Sequence, residues 1–108
     1  MVINQKNALT LWNERYGKSV QAIEDFSGRR ITKAQFGDTN SKSGWTIDHR
    51  LPKSKGGSNV KCNLEIVHHK TNEEKANKIC FVANERHFRV KNSKDGEKCY
   101  EIVEDVKL

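Results

Sequence analysis

The sequence predicts an α+β fold in which short antiparallel strands and two helices share one modest core. Residues 44–51 alternate apolar and polar side chains, the period-two pattern of a half-buried strand. Residues 64–67 form a second short apolar run, and the Lys-, Ser-, Gly- and Asn-rich segment between them indicates a loop joining two antiparallel strands. A chain of 108 residues suits a single domain spanning 1–108.

The N-terminal segment, residues 4–16, has the pattern of an amphipathic helix. Asn4 is a plausible cap and Gly17 a stop signal. Its apolar face comprises Leu9, Trp12 and Tyr16. We expect this helix to cover the back of the core.

Two further turns are predicted on either side of the central segment. Residues 20–33 carry two short apolar runs around Ser27-Gly28, with Asp25 and Arg29 as a structural pair. Residues 86–104 alternate apolar and polar side chains around a turn and predict a C-terminal β-hairpin. Structural packing is the default role of this hairpin.

A second helix is predicted after the second central strand. Thr71 and Glu74 form the pattern T-x-x-E, a capping box that would start a helix at Asn72. Its apolar positions are Ala76, Ile79, Cys80 and Ala83. Counting back four residues from Ala76 places Asn72 on the inward face, aimed at Asp48.

The positive charge is concentrated in the middle of the chain. The net charge is +6, and residues 27–61 hold eight basic side chains against two acidic ones, whereas the flanking segments are balanced. A basic loop alone is more often a solvated surface, but beside a catalytic motif it indicates a polyanion. The predicted nucleic-acid contacts are Arg50, Lys53, Lys55 and Lys61.

The cysteines predict neither a disulfide framework nor a four-thiolate zinc site. Cys62, Cys80 and Cys99 are widely spaced without a C-x-x-C, so we expect reduced thiols. A mixed zinc site combining Cys62 with His68 or His69 is the less favoured alternative, and structural zinc is not expected. With no signal-peptide pattern and no apolar run near the ~20 residues of a membrane span, a cytoplasmic protein is expected.

A set of polar residues carries the candidate chemistry: Asp48, His49, Asn63, Asn72 and Lys75. A neutral imidazole can take a proton from water near pH 7, which suits His49 as general base. Asp48 and the side-chain oxygen of Asn72 are hard donors, and such a sparse pair suits Mg²⁺ or Mn²⁺. His68 could be a third ligand, although a lone histidine is more often structural.

The segment resembles the HNH endonuclease family, and particularly its small bacterial and phage members. Outside the catalytic set the resemblance rests on Trp12, Asp25, Gly28, Ile31, Phe36-Gly37, Ser41, Gly44-Trp45, Pro52, Gly56-Gly57 and Asn63-Leu64. Phe36 stands where the family usually has Tyr, and Arg50 where an aliphatic residue is commoner. The C-x-x-C zinc knuckle of many members is absent, because that position holds residues 25–28, DFSG.

The resemblance implies a ββα-metal core over about residues 44–80 that holds one divalent ion. It implies that Asn63 braces the loop and holds the backbone of His49. It also implies that Lys75 stabilises transition-state charge, for which a merely solvated lysine is the equally weighted alternative.

Three functions therefore compete. The leading one is a metal-dependent endonuclease acting on double-stranded DNA, with a homodimer as an open alternative. The C-terminal hairpin could then extend the sheet, mediate dimerisation or touch DNA. The second is a catalytically inactive DNA-binding module, which the intact Asp48, His49, Asn63 and Asn72 disfavour. The third is a ribonuclease, since such a site does not itself distinguish ribose from deoxyribose.

Overall fold

A computed structural model describes residues 3–106. Within them lie two helices and three small antiparallel sheets, which confirms the α+β class. The elements are α1 (Gln5–Tyr16), β1 (Ala22–Glu24), β2 (Arg30–Thr32), β3 (Trp45–His49), β4 (Leu64–His68), α2 (His69–Lys75), β5 (Cys80–Ala83), β6 (Arg86–Asn92) and β7 (Tyr100–Glu104). Neither helix is long and apolar enough to cross a membrane.

Helix α1 begins and ends where its local signals predict. The Asn4 side chain accepts a hydrogen bond from the Asn7 amide at 2.8 Å, and Gly17 follows the last residue with a φ of 101°. The Gly17 amide donates to the Asn13 carbonyl at 2.9 Å. The helix buries Ala8, Leu11 and Trp12, and thereby packs one side of the main core.

The central hairpin of β3 and β4 carries the other side of that core. Trp45 lies opposite His68, and His49, four residues further along β3, lies opposite Leu64. The ring centroids of Trp12 and Trp45 are 4.9 Å apart, so α1 and the hairpin are joined by aromatic packing. The buried core residues are Ala8, Leu11, Trp12, Ile31, Trp45, Leu64 and Ile66.

The predicted capping box at Thr71 is wrong, and so is the long helix after it. Helix α2 ends at Lys75, Ala76 has a φ of +50°, and residues 80–83 form β5 instead. The two box side chains are used elsewhere: Thr71 Oγ1 accepts from Arg29 Nη1 at 3.1 Å, and Glu74 pairs with the same guanidinium. The helix is instead capped by His68, whose Nδ1 accepts from the Lys70 amide at 3.0 Å.

The turn between β1 and β2 is organised by Asp25, which is 5% exposed. Its Oδ1 accepts from the Ser27 amide at 2.9 Å, from Ser27 Oγ at 2.7 Å and from the Arg29 amide at 3.1 Å. Its Oδ2 accepts from the His68 amide at 3.0 Å. The carboxylate therefore ties this turn to the end of β4, and Arg29 contacts it through the backbone only.

The predicted C-terminal hairpin is present as β6 and β7, with Phe88 opposite Glu104. Strand β5 adds a third strand on the other edge of β6. A second, smaller core holds Phe81, Ala83 and Phe88, with Phe26 packed against it from the β1–β2 turn. The C-terminal sheet thus has its own apolar contacts with the rest of the chain.

The expectation of three reduced thiols is wrong for two of them. Cys62, just before β4, forms a disulfide with Cys99, just before β7, with a Cα–Cα distance of 4.9 Å. The two are 37 residues apart, and only the folding of the C-terminal sheet against the central loop brings them together. Cys80 is free and exposed. Because the Cys62 sulfur is bonded to Cys99, it is not a thiolate that could bind zinc with His68 or His69.

We predict that opening this disulfide lowers the free energy of unfolding by about 2–4 kcal/mol, because a cross-link over a loop of this length restricts the unfolded chain. Urea unfolding of the Cys62→Ser/Cys99→Ser variant would measure the change. Cys80→Ser is the matched control and should unfold like the wild type. Equal stability of the double variant and the wild type would contradict the prediction.

Candidate functional site

A buried ion pair lies at the end of β3. The Lys75 side chain is 1% exposed, and its Nζ lies 3.0 Å from Asp48 Oδ2. The same ammonium donates to the His49 carbonyl at 2.9 Å and sits 5.8 Å from the ring centroid of Phe81. Asp48 Oδ2 is buried without an aligned hydrogen-bond donor, so its contact with Lys75 is an electrostatic pair. Such burial prevents Lys75 from touching a phosphate directly, as its predicted catalytic role would require.

The imidazole of His49 is partly exposed. Adjacent residues of a strand point to opposite faces, and accordingly Asp48 contacts α2, while His49 contacts the following loop. Asn59 Oδ1 lies 2.7 Å from His49 Nε2. An amide oxygen can only accept, so Nε2 carries the proton and the lone pair is on Nδ1.

The side chain of Asn63 braces the loop after β3. Asn63 is fully buried; its Oδ1 accepts from the Leu51 amide at 2.9 Å, and its Nδ2 donates to the Leu51 carbonyl at 3.2 Å and the Ser58 carbonyl at 2.9 Å. A Cβ at Gly57 would lie 1.8 Å from the Leu51 carbonyl oxygen, so only glycine allows this close turn. Asn63 therefore fixes the loop, while the His49 carbonyl is held by Lys75.

The predicted DNA-contacting residues divide into two groups. Arg50 is committed to structure: its Nε donates to Glu65 Oε2 at 2.7 Å, and its Nη1 donates to the carbonyls of Cys62 at 3.1 Å and Tyr100 at 2.9 Å. These bonds engage Nε and Nη1 within the protein, and the nucleic-acid contact of Arg50 stays a prediction. Lys61 pairs with Glu14 at 3.0 Å on the surface. Lys53 and Lys55 are exposed.

His68 has no nitrogen left for a metal. Its Nδ1 accepts from the Lys70 amide, and its Nε2 lies 2.7 Å from the Lys42 carbonyl oxygen, to which it must donate. It also lies opposite Trp45, at the other end of the hairpin from Asp48. The suggested third metal ligand is therefore a structural residue.

Asn72 and Asp48 remain the candidate metal donors. Asn72 lies in the middle of α2, three residues before Lys75 and so on the same side of the helix. Among residues 3–106, no group of three or more His, Cys, Asp or Glu side chains could hold an ion. An ion here would thus depend on a carboxylate, an amide, water and substrate, which is the sparse donor set that Mg²⁺ accepts. Asp48 Oδ2 is already held at 3.0 Å by the Lys75 ammonium, so an ion would bind the other carboxylate oxygen, Oδ1.

Other titratable groups nearby are unsuitable as bases. Burial and the neighbouring Glu65 carboxylate raise the pKa of Tyr16 to about 12, so its hydroxyl stays protonated at neutral pH. Glu65 itself is paired with Arg50. His49 is therefore the accessible base at this end of the hairpin.

Comparison with protein-family models, with curated proteins and with solved structures found no match. The HNH resemblance thus rests on the residues quoted above.

Asn59 is the residue that sequence analysis missed. It stands in the segment GGSN, where a loop asparagine usually serves a turn, and its spacing from His49 has no regular period. The local sequence carries no signal for the contact with His49, because the folded loop alone determines it.

We predict that Lys75→Ala lowers the free energy of unfolding by about 3–5 kcal/mol, because it leaves the Asp48 carboxylate without its buried partner. Lys75→Met with Asp48→Asn should recover part of this loss, since both charges are then removed. Lys78→Ala, at an exposed lysine just after α2, is the control. Thermal and urea unfolding would measure all three, and a Lys75→Ala protein as stable as Lys78→Ala would contradict the ion pair.

Proposed function

We propose that this protein is a metal-dependent endonuclease of the HNH type, in which β3, β4 and α2 form the ββα-metal core and DNA is the substrate. One observation carries the proposal. At the end of β3, an accessible imidazole with its tautomer set by Asn59 adjoins a carboxylate that is held by a buried ammonium. A pure binding module has no chemical need for that combination.

The residues divide the work of phosphodiester hydrolysis. His49 Nδ1 removes a proton from the attacking water, while Asn59 holds the opposite nitrogen and stabilises the imidazolium that forms. Lys75 holds the His49 carbonyl and the Asp48 carboxylate, so it acts as a positioning residue. Asn63 keeps the loop that carries Asn59 in place.

A divalent ion, Mg²⁺ or Mn²⁺, would be held by Asp48 and Asn72 and would supply positive charge to the phosphate oxygens. Asp48 would bind the ion through Oδ1, because its Oδ2 is paired with the Lys75 ammonium. Because only two protein side chains would bind the ion, we expect its affinity to be weak without nucleic acid.

The exposed lysines of the loop after β3 form the part of the proposed site that faces the substrate. Lys53 and Lys55 lie in a single 3-10 turn between His49 and Asn59 and are fully on the surface. We expect them to contact phosphates near the bond that is cut, through charge alone and without reading sequence.

We predict nicking or cleavage of a supercoiled plasmid in Mg²⁺ or Mn²⁺ and none in EDTA. His49→Ala should lower the rate by about 10²–10⁴-fold, because the general base is lost. His87→Ala, at an exposed histidine on β6, is the matched control and should cleave like the wild type.

Four outcomes would refute this proposal in different ways. Cleavage in EDTA, or full activity of His49→Ala, would exclude the chemistry. Cleavage of structured RNA without cleavage of DNA would indicate a ribonuclease. DNA binding without any cleavage would indicate an inactive module.

We also predict that Asn59→Ala lowers the cleavage rate by roughly 10–100-fold, because the imidazole loses the partner that fixes its tautomer. Asn59→Asp keeps an acceptor for Nε2–H and should recover much of the rate, with the pH–rate profile moved to higher pH because a carboxylate favours the imidazolium. A wild-type rate and profile in Asn59→Ala would exclude the positioning role. Unfolding midpoints of both variants would verify that they are folded.

A further inference from the structure

A second cationic site lies at the opposite end of the β3–β4 hairpin from His49. A cleft of about 220 Å³ is lined by Arg29, Arg30, Lys42, His68 and Lys70. No carboxylate contributes to the lining, although the whole chain carries 14 acidic residues. Most of these basic residues are remote in sequence, and the fold brings them together.

Three of the five side chains bring free positive charge. Arg30, Lys42 and Lys70 are exposed, and none enters an ion pair within residues 3–106. Arg29 differs because its guanidinium pairs with Glu74, which holds the pKa of that carboxyl below its usual range. The cleft therefore has a net charge of about +3 without a counterion from the protein, which favours an anionic ligand.

His68 fixes the geometry of the cleft. It is 3% exposed, and its two ring nitrogens bond to the backbone of Lys42 and of Lys70, at 2.7 and 3.0 Å. One rigid imidazole thus holds the two lysine-bearing segments next to each other. The side-chain ammonium groups of both lysines remain available to a ligand.

The position of the cleft relates it to the proposed active site. His68 lies opposite Trp45, and Trp45 precedes His49 by four residues on β3. At about 3.3 Å per residue, the distance along the strand from Trp45 to His49 is on the order of 13 Å. Helix α2 connects the two places, since Lys70 lies near its start and Lys75, at its end, contacts Asp48 and His49. At roughly 3.4 Å of axial rise per nucleotide, this separation corresponds to a few nucleotides of one strand.

We propose that this cleft binds two or three backbone phosphates of the nucleic-acid substrate, a few nucleotides from the bond that is cut at His49. The inference rests on the proposed nuclease function, since continuity of one strand links the two sites. A phosphodiester is favoured because the cleft is lined by several cations and by no carboxylate.

The test measures binding and needs no cleavage. In a His49→Ala background, a fluorescently labelled DNA duplex is titrated at several salt concentrations. The cleft variant is Arg30→Gln/Lys42→Gln/Lys70→Gln, and the matched control removes the same charge at exposed, unpaired lysines elsewhere, as Lys18→Gln/Lys94→Gln/Lys98→Gln. All six side chains are exposed, so both variants should fold.

We expect the slope of log K against log salt to move toward zero by about 2–3 in the cleft variant, because up to three phosphate contacts are lost. The control should change the slope by less than one. An unchanged slope in the cleft variant, or an equal change in the control, would overturn the inference. Plasmid cleavage is measured on the wild-type protein and does not depend on the outcome of this binding test. Failure of the cleft proposal and failure of the nuclease proposal are therefore distinguishable.

Discussion

The buried ammonium of Lys75 is the constraint on which the rest of the site depends. A charge that is 1% exposed must be neutralised by neighbouring groups, since its desolvation costs several kcal/mol. The Asp48 carboxylate and the His49 carbonyl meet that demand, and both belong to the last two residues of β3. The end of the strand and the end of α2 are therefore fixed to each other by one side chain.

Local signals were sufficient where an element depends on its own residues. Helix α1 has the Asn4 cap and the Gly17 stop that its sequence predicts, and the central strands follow their apolar pattern. The prediction failed at α2 because Thr71 and Glu74 bond to Arg29, 42 and 45 residues away, instead of closing a capping box. A T-x-x-E pattern cannot reveal such a competitor. Residues 80–83 then pair with β6, where Phe81 is buried, and extended structure replaces the predicted helix.

The candidate site shows the same division between local and distant information. Asp48 and His49 are adjacent in sequence, so their proximity was predictable, and the alternation of side chains along a strand explains how they face different partners. The contacts of Lys75 and Arg50 were not predictable, because a lysine or arginine in a polar segment has the same local pattern whether it is solvated or buried. Lys75 is buried against Asp48, and the Glu65 carboxylate with two carbonyls holds the Arg50 guanidinium.

The C-terminal sheet, which lies outside the resemblance, is part of the support of the site. Arg50 donates to the Tyr100 carbonyl, Cys99 is bonded to Cys62 next to Asn63, and Phe81 lies against the Lys75 ammonium. Each contact holds a different part of the arrangement: the end of β3, the loop after it and the end of α2. Since Asn59 reaches His49 only when that loop is in place, the orientation of the imidazole depends on a sheet that contributes none of the side chains assigned to the candidate site. The C-terminal strands are therefore better understood as a structural support of the candidate site than as an independent module.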